Sequence, residues 1–281
     1  MKVLIVGLGL IGGAYAYRLK NKGYEVYASD LDIESINYAK EHSYIDDGSL
    51  DAKDFISKVD MIILAIYPQA ILNFLKENSK FFNKNQIITD VCGVKSSFVV
   101  EATKLSKPAI YCSHHPMAGR EKSGVKYSKE CKFEGANFLV TPTRETPYSV
   151  VETLKKLGTD LGFKRLSVMD IYEHDRMIGF TSQLAHAIAV SLVNSDNNPD
   201  NTKLYIGDSY RDLTRIAMIN DTLWSELFLE NKDNLIKHIE CFEKNLDVLK
   251  CALINDDKKT LESLFKSSTV IRKEMEKKWR N

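Results

Sequence analysis

Along residues 1–170, short β-branched apolar runs alternate with stretches whose apolar positions recur every three or four residues, the pattern of βαβ units on a parallel sheet. The runs fall at 3–7, 25–30, 60–67, 86–91, 109–113, 137–141 and 165–170, with helical patterns near 12–22, 33–42, 69–81, 96–105 and 147–161, spaced as crossovers require. From about Tyr172 the strand signal stops. Ile178, Ala185, Ile188, Ala189 and Leu192 then make one apolar stripe, and Asn194–Pro199 reads as a loop. Ser209 with Asp212 fits a capping box, and Asp221 or Thr222 can cap the helix after it. The predicted class is α/β, with an N-terminal Rossmann-type parallel-sheet domain (1–170) followed by an all-α C-terminal domain (171–281). Helices of that length expose more apolar surface than one small domain covers, which predicts a homodimer.

The 281 residues suffice for two domains with their own cores. Lys plus Arg (39) nearly cancels Asp plus Glu (38), so no global field draws nucleic acid or an anionic membrane, and anion recognition has to be local. Met1–Gly7 runs straight into a strand pattern without signal-peptide architecture, and no apolar run reaches the roughly 18 residues of a spanning helix. The expectation is a cytoplasmic protein without nucleic-acid or membrane partners. Five widely spaced cysteines without a CxxC pair argue for buried thiols rather than disulfides or a metal site. Cys112, with histidines close by, is the one candidate nucleophile, and a core thiol is the favoured reading.

Gly7-Leu8-Gly9-Leu10-Ile11-Gly12 is a GxGxxG placed between a strand and a helical pattern. Gly7 suits the tight turn, Gly9 lets backbone approach a pyrophosphate, and Gly12 lets helix and strand pack closely, with the helix N-terminus facing the anion. Asp30 ends the second strand 18 residues beyond Gly12, where a ribose-binding carboxylate belongs. A carboxylate there accepts from the adenosine 2′-hydroxyl and repels a 2′-phosphate, which favours NAD over NADP; Asp32 is the alternative acid, and Ser29 would suit a phosphate. Ala65, at the end of the 60–67 run, should lie beside the dinucleotide. The bland alternative is a tight turn followed by a helix cap.

His114 and His115 close the 109–113 run, where open parallel sheets place reactive groups, and the strand period sends the two rings to opposite faces. The stretch His115-Pro116-Met117-Ala118-Gly119, continued by Glu121 and Ser123-Gly124, resembles the HPMAG-x-E-x-SG motif of the prephenate dehydrogenase family. Thr89-Asp90-Val91-Cys92-Gly93-Val94-Lys95 is similar to that family's TDV-x-SVK, Glu173-His174-Asp175-Arg176 to EHDR, Ser182-Gln183-Leu184-Ala185-His186 to SHLPH, and Arg211–Ala217 to RD-x-TRIA. The five motifs are ordered along both expected domains.

The resemblance implies oxidation of prephenate, or of its amino analogue arogenate, with NAD or NADP. It implies His115 as the base on the ring hydroxyl, a task that a neutral imidazole suits. Arg215 would clamp a substrate carboxylate, with Arg211 as a second clamp or as the ion-pair partner of Asp208. His186 would lie near the substrate, Glu121 would gate access through ion pairs, Lys95 would be a local cation, and His174 would cap or orient the interdomain joint. Arg120 reads as an exposed loop charge. Two departures stand out. Gly93 occupies the position of the family serine, leaving Ser113, Ser96 or water to supply the hydroxyl, and Gln183 and Ala185 alter the segment that bears on prephenate against arogenate. Other readings are another two-domain Rossmann dehydrogenase or imine reductase, and a non-catalytic dinucleotide sensor that dimerises through its helices.

Overall fold

The computed structural model describes residues 1–119 and 122–279. Six strands, β1 (Lys2–Val6), β2 (Glu25–Ser29), β3 (Asp47–Ser49), β4 (Met61–Leu64), β5 (Ile87–Asp90) and β6 (Ile110–Tyr111), form a parallel sheet in the order β3-β2-β1-β4-β5-β6. They alternate with α1 (Leu10–Asn21), α2 (Ile33–Glu41), α3 (Lys53–Ile56), α4 (Pro68–Asn78) and α5 (Val99–Leu105). The order reverses between β1 and β4, which makes the crevice at their C-terminal ends the natural ligand site. The strand period sorts the core. Val3, Ile5 and Ile63 face the layer built by α1, whereas Leu4, Val6, Ile62 and Leu64 face Ile71 and Leu75 of α4 and Val99 of α5.

The expected strand 109–113 divides at Cys112. Its first half is β6, and the chain then enters a second, three-stranded sheet through β7 (Ser113–Pro116), which pairs antiparallel with β8 (Asn137–Thr141); β8 pairs parallel with β9 (Arg165–Val168) across α6 (Tyr148–Leu161). The two histidines therefore lie on an antiparallel-paired strand and not at the end of the parallel sheet. β3, only Asp-Gly-Ser, carries no apolar signal and escaped the sequence pattern.

Helices α7 (Ile171–Ile178) and α8 (Leu184–Asn194) run together through a π-helical turn, Gly179–Gln183, a local irregularity frequent at functional sites. They are followed by α9 (Pro199–Thr202), α10 (Asp208–Thr214), α11 (Asp221–Glu230), α12 (Lys232–Ile254) and α13 (Lys258–Trp279). The cap of α10 is Gly207, without a side-chain bond, and that of α11 is Asn220, which accepts from the Leu223 amide; Ser209, Asp221 and Thr222 do not serve. The helical run Ile171–Asn194 is, by length and composition, long and apolar enough to cross a membrane, against the expectation from uninterrupted runs. It nevertheless carries Asp175 and His174, both buried in a polar network with the sheet domain. The described chain forms two compact units, Met1–Lys232 and Asp233–Asn281.

Candidate active site

The glycine loop closes on the neighbouring strand. Gly7 has φ +95°, and a Cβ there would lie 2.6 Å from the Ala65 carbonyl oxygen; one on Gly12 would lie 1.9 Å from the Gly7 carbonyl oxygen. Both positions demand glycine, and Ala65, as expected, borders the loop. Gly9, by contrast, faces open space and caps α1 with no side chain, so the amides of the first turn, Leu10 and Ile11 among them, point outward without intrahelical acceptors. Asp30 is anchored at this edge: its carboxylate accepts from the Leu8 amide at 2.5 Å and from the Asp32 amide at 2.8 Å. Asp32 is instead spent capping α2 through the Glu34 and Ser35 amides. Donors for a diphosphate beside a carboxylate for a ribose are what a dinucleotide requires.

Strand β7 carries His115 toward α7. Its Nδ1 lies 2.9 Å from Nε2 of His174, whose Nδ1 lies 2.7 Å from the Asp175 carboxylate. That carboxylate also accepts from the amides of Lys95 (2.9 Å) and Ser96 (2.7 Å) and from the Ser96 hydroxyl (2.5 Å). Burial, reinforced by each other's proximity and by Lys95, holds the His115 pKa well below the ordinary histidine value, so the ring is neutral at physiological pH. His174 is also lowered, burial outweighing the opposing pull of Asp175. The neutral rings then order themselves. A carboxylate only accepts, so His174 donates from Nδ1 and accepts at Nε2; His115 donates from Nδ1, which leaves its Nε2 as an unprotonated lone pair. A Cβ on Gly93, just past β5, would lie 3.7 Å from that Nε2 and 3.7 Å from Leu227 of α11.

The other histidine is structural. His114 is fully buried, joined to Tyr15 at 2.9 Å and Thr89 at 2.7 Å and stacked on Phe138, and burial first, then Lys95, pushes its pKa down to about 3. A histidine lowered on folding favours the native state only while neutral in both states. Its contribution is therefore complete above the unfolded value of about 6.5 and is expected to decline as pH falls from there toward about 3. His114→Phe should flatten the acid side of a stability–pH curve followed by thermal unfolding, and an unchanged slope would remove this role.

Several expected contacts are reassigned. Lys95 is not a cation open to substrate: its side chain has no solvent exposure, and Nζ donates to Asp90 at 2.7 Å and to the His114 carbonyl at 2.8 Å. Burial alone would raise the Asp90 pKa, but the Lys95 ammonium beside it holds the carboxyl below its usual range. Ser113 is wholly buried, and the Ser96 hydroxyl donates to Asp175. Arg211 is exposed and paired with Asp208 at 2.7 Å, which answers the alternative in favour of the ion pair. Glu121 and Arg120 lie outside the described residues. Cys112 is excluded as a nucleophile by burial, which pushes its thiol up to about 12.

On the helical side, His186 stacks against Trp224 at 3.7 Å, and its Nδ1 donates to the Ser182 carbonyl at 2.9 Å. Arg215 opens a 3₁₀ turn, Arg215–Ala217, that packs on α8, the helix bearing His186. Gln183 lies in the π-helical turn and donates to the Leu227 carbonyl at 2.8 Å, while Asn231 bridges Gln183 and the Asp175 carbonyl. The His174–Asp175 connection to His115 was not legible in advance, although the Glu-His-Asp-Arg motif marked both residues.

Comparison with known proteins agrees with this division of labour. A family model described as the prephenate dehydrogenase nucleotide-binding domain matches residues 15–166, and one described as the prephenate dehydrogenase dimerization domain matches residues 170–267. The prephenate dehydrogenase of Lactococcus lactis subsp. cremoris (strain MG1363) is 32% identical over 284 residues, spanning 98% of this chain and 77% of that protein. That of Bacillus subtilis (strain 168) is 30% identical over 276 residues, spanning 95% and 74%. The crystal structure of prephenate dehydrogenase from A. aeolicus, in complex with hydroxyphenyl propionate and NAD+, shares 32% identity with a TM-score of 0.88 and covers 98% of both chains.

Proposed function

Because the chain belongs to the prephenate dehydrogenase family, we propose that it oxidises prephenate with NAD⁺, releasing carbon dioxide and 4-hydroxyphenylpyruvate. The observation that carries this reading is the His115 ring, held neutral with its Nε2 lone pair beside Gly93, just beyond the C-terminal end of β5. Gly7, Leu8, Gly9, Leu10, Ile11 and Gly12 would cradle the diphosphate, Ala65 would line it, and Asp30 would take the adenosine ribose, favouring NAD⁺ over NADP⁺. Bound NAD⁺ supplies the hydride acceptor. His115 takes the proton of the ring hydroxyl as that carbon becomes a carbonyl, a contribution of roughly 10²- to 10⁴-fold. The carbonyl then draws in the electrons of the ring carboxylate bond, carbon dioxide leaves, and the ring becomes aromatic.

Prephenate is a dianion, so a nearly neutral protein needs placed cations; Arg215, on the turn beside α8, would pin one carboxylate, and His186 would border the pocket. Arg211 and Lys95 are set aside as substrate contacts, and Glu121 stays a proposal from the motif alone. Arogenate is not favoured, since the relatives above act on prephenate by name. We further propose that residue 170 marks the change from cofactor to substrate and dimerisation functions. A homodimer would cover exposed side chains such as Phe180, Leu213, Met218 and Leu229, and the enzyme would work in the cytoplasm, where free cysteines persist.

Purified protein mixed with prephenate or arogenate, each with NAD⁺ or NADP⁺, and followed by absorbance of the reduced cofactor, tests the reading. Turnover should be fastest with prephenate and NAD⁺; no reduction with prephenate and either cofactor would overturn it. Arg215→Ala should raise the KM for prephenate by about 10- to 100-fold, the worth of a charge-assisted hydrogen bond, with a smaller change in kcat. An unchanged KM would remove Arg215 from the site.

A further inference from the structure

His115 alone is an incomplete base. A proton arriving on its Nε2 makes a buried imidazolium, and among the described residues the charged or titratable groups that act on it, His174, Lys95 and His114, include no anion. The compensating carboxylate lies one ring away. Asp175 is wholly buried and fixed by three donors from the segment after β5, so it cannot swing to His115; it reaches that ring only through His174. The spacings of 2.9 Å between the two imidazoles and 2.7 Å to the carboxylate make one continuous hydrogen-bonded line.

We propose that His174 and Asp175 are positioning residues that set the tautomer of His115 and store the proton it removes from the substrate. The inference rests on the function proposed above. The hydroxyl O–H bond breaks and its proton bonds to Nε2 of His115. The Nδ1 proton of His115 moves to Nε2 of His174, and the resulting imidazolium keeps its Nδ1–H on the Asp175 carboxylate. The former O–H electron pair becomes the second bond of the ring carbonyl, while the C–H pair departs as hydride to NAD⁺. When carbon dioxide leaves and the ring oxygen becomes a phenolate, the proton returns along the same line to make the phenol, so the reaction needs no proton from solvent. Among the described residues the groups that face His174 are His115, Asp175, Lys95 and Asp90, and of these the first two touch its ring nitrogens. Lys95 and Asp90 are committed to each other, so His174 and His115 form the titrating pair.

Histidine-ring ¹⁵N NMR of the NAD⁺ complex, which requires no turnover, reads the tautomer directly. The expected spectrum has His115 protonated at Nδ1 and bare at Nε2, and Asp175→Asn should reverse it by offering a donor where the carboxylate accepted. His174→Gln provides a second variant, since its amide oxygen can still accept from His115 Nδ1 but cannot carry a proton. It should lower kcat by about tenfold or more, leave KM for prephenate near the wild-type value, and move the acid limb of the kcat–pH profile to lower pH. A protonated Nε2 in the resting wild-type enzyme, or His174→Gln with wild-type kcat and pH profile, overturns the inference. Failure of the wild-type enzyme to oxidise prephenate would instead sink the substrate assignment and leave the tautomer result standing.

Discussion

Replacing His115 with asparagine is expected to lower kcat by about 10²- to 10⁴-fold while NAD⁺ affinity and thermal stability stay near the wild-type values. Asparagine is the informative choice because its amide nitrogen sits close to the position of Nδ1. The donor to His174 therefore survives, and only the Nε2 lone pair is lost. That nitrogen lies beside Gly93, where a Cβ would meet it at 3.7 Å, an ordinary van der Waals contact. Fluorescence titration with NAD⁺ separates loss of chemistry from loss of cofactor. Retention of more than a tenth of wild-type turnover would mean that water or another group removes the proton, and the base would have to be sought elsewhere.

The parts of this site that could be read from the chain are those whose cause is local. The glycine loop depends on contacts that Gly7 and Gly12 make within one strand–turn–helix unit and with the adjoining strand, so spacing alone identifies it. The division of roles between His114 and His115 follows from the strand period, and the structure respects it although the strand belongs to another sheet. The switch of sheets at Cys112 has no such signature, because a run of alternating residues looks the same whichever partner it pairs with. Ser209 and Asp212 satisfied a local capping rule, yet Gly207 caps α10 two residues earlier because glycine there needs no side chain to adopt the extended cap conformation.

Identity of a motif residue also proved easier to read than its partner. Lys95 and Asp175 were both marked by motifs, but lysine is a surface residue by habit, and only the folded chain brings its ammonium onto Asp90 where neither side chain has solvent exposure. His174 and His115 are 59 residues apart, and no periodicity links them. The π-helical turn between α7 and α8 is equally non-local in cause: Gln183, within it, is held by Leu227 of α11 and by Asn231, which caps the C-terminal end of that helix. The result is a base whose ring is presented by β7, oriented by α7 and bordered by the loop after β5, three elements that only tertiary packing unites.

The largest effect on stability is expected from Lys95→Met. It leaves the Asp90 carboxylate buried with the Tyr111 hydroxyl and the Cys92 amide as donors, and it frees the His114 carbonyl that Lys95 now holds. Breaking a buried pair on one side costs about 3–5 kcal/mol, which for a chain of this size corresponds to a fall in Tm of roughly 6–20 °C. The pH dependence supplies a second check. Asp90 is held below its unfolded value, so the stabilisation it brings is complete above about pH 4 and is lost as pH falls through the folded value. The deficit of the variant should therefore shrink in acid, where its carboxyl protonates and the unpaired charge disappears. The double variant Asp90→Asn with Lys95→Met should recover most of the loss, because two neutral side chains of similar volume no longer leave a charge in the core. Wild-type Tm in Lys95→Met together with a raised KM for prephenate would reverse the assignment, making the lysine a cation that meets the substrate and the buried pair incidental.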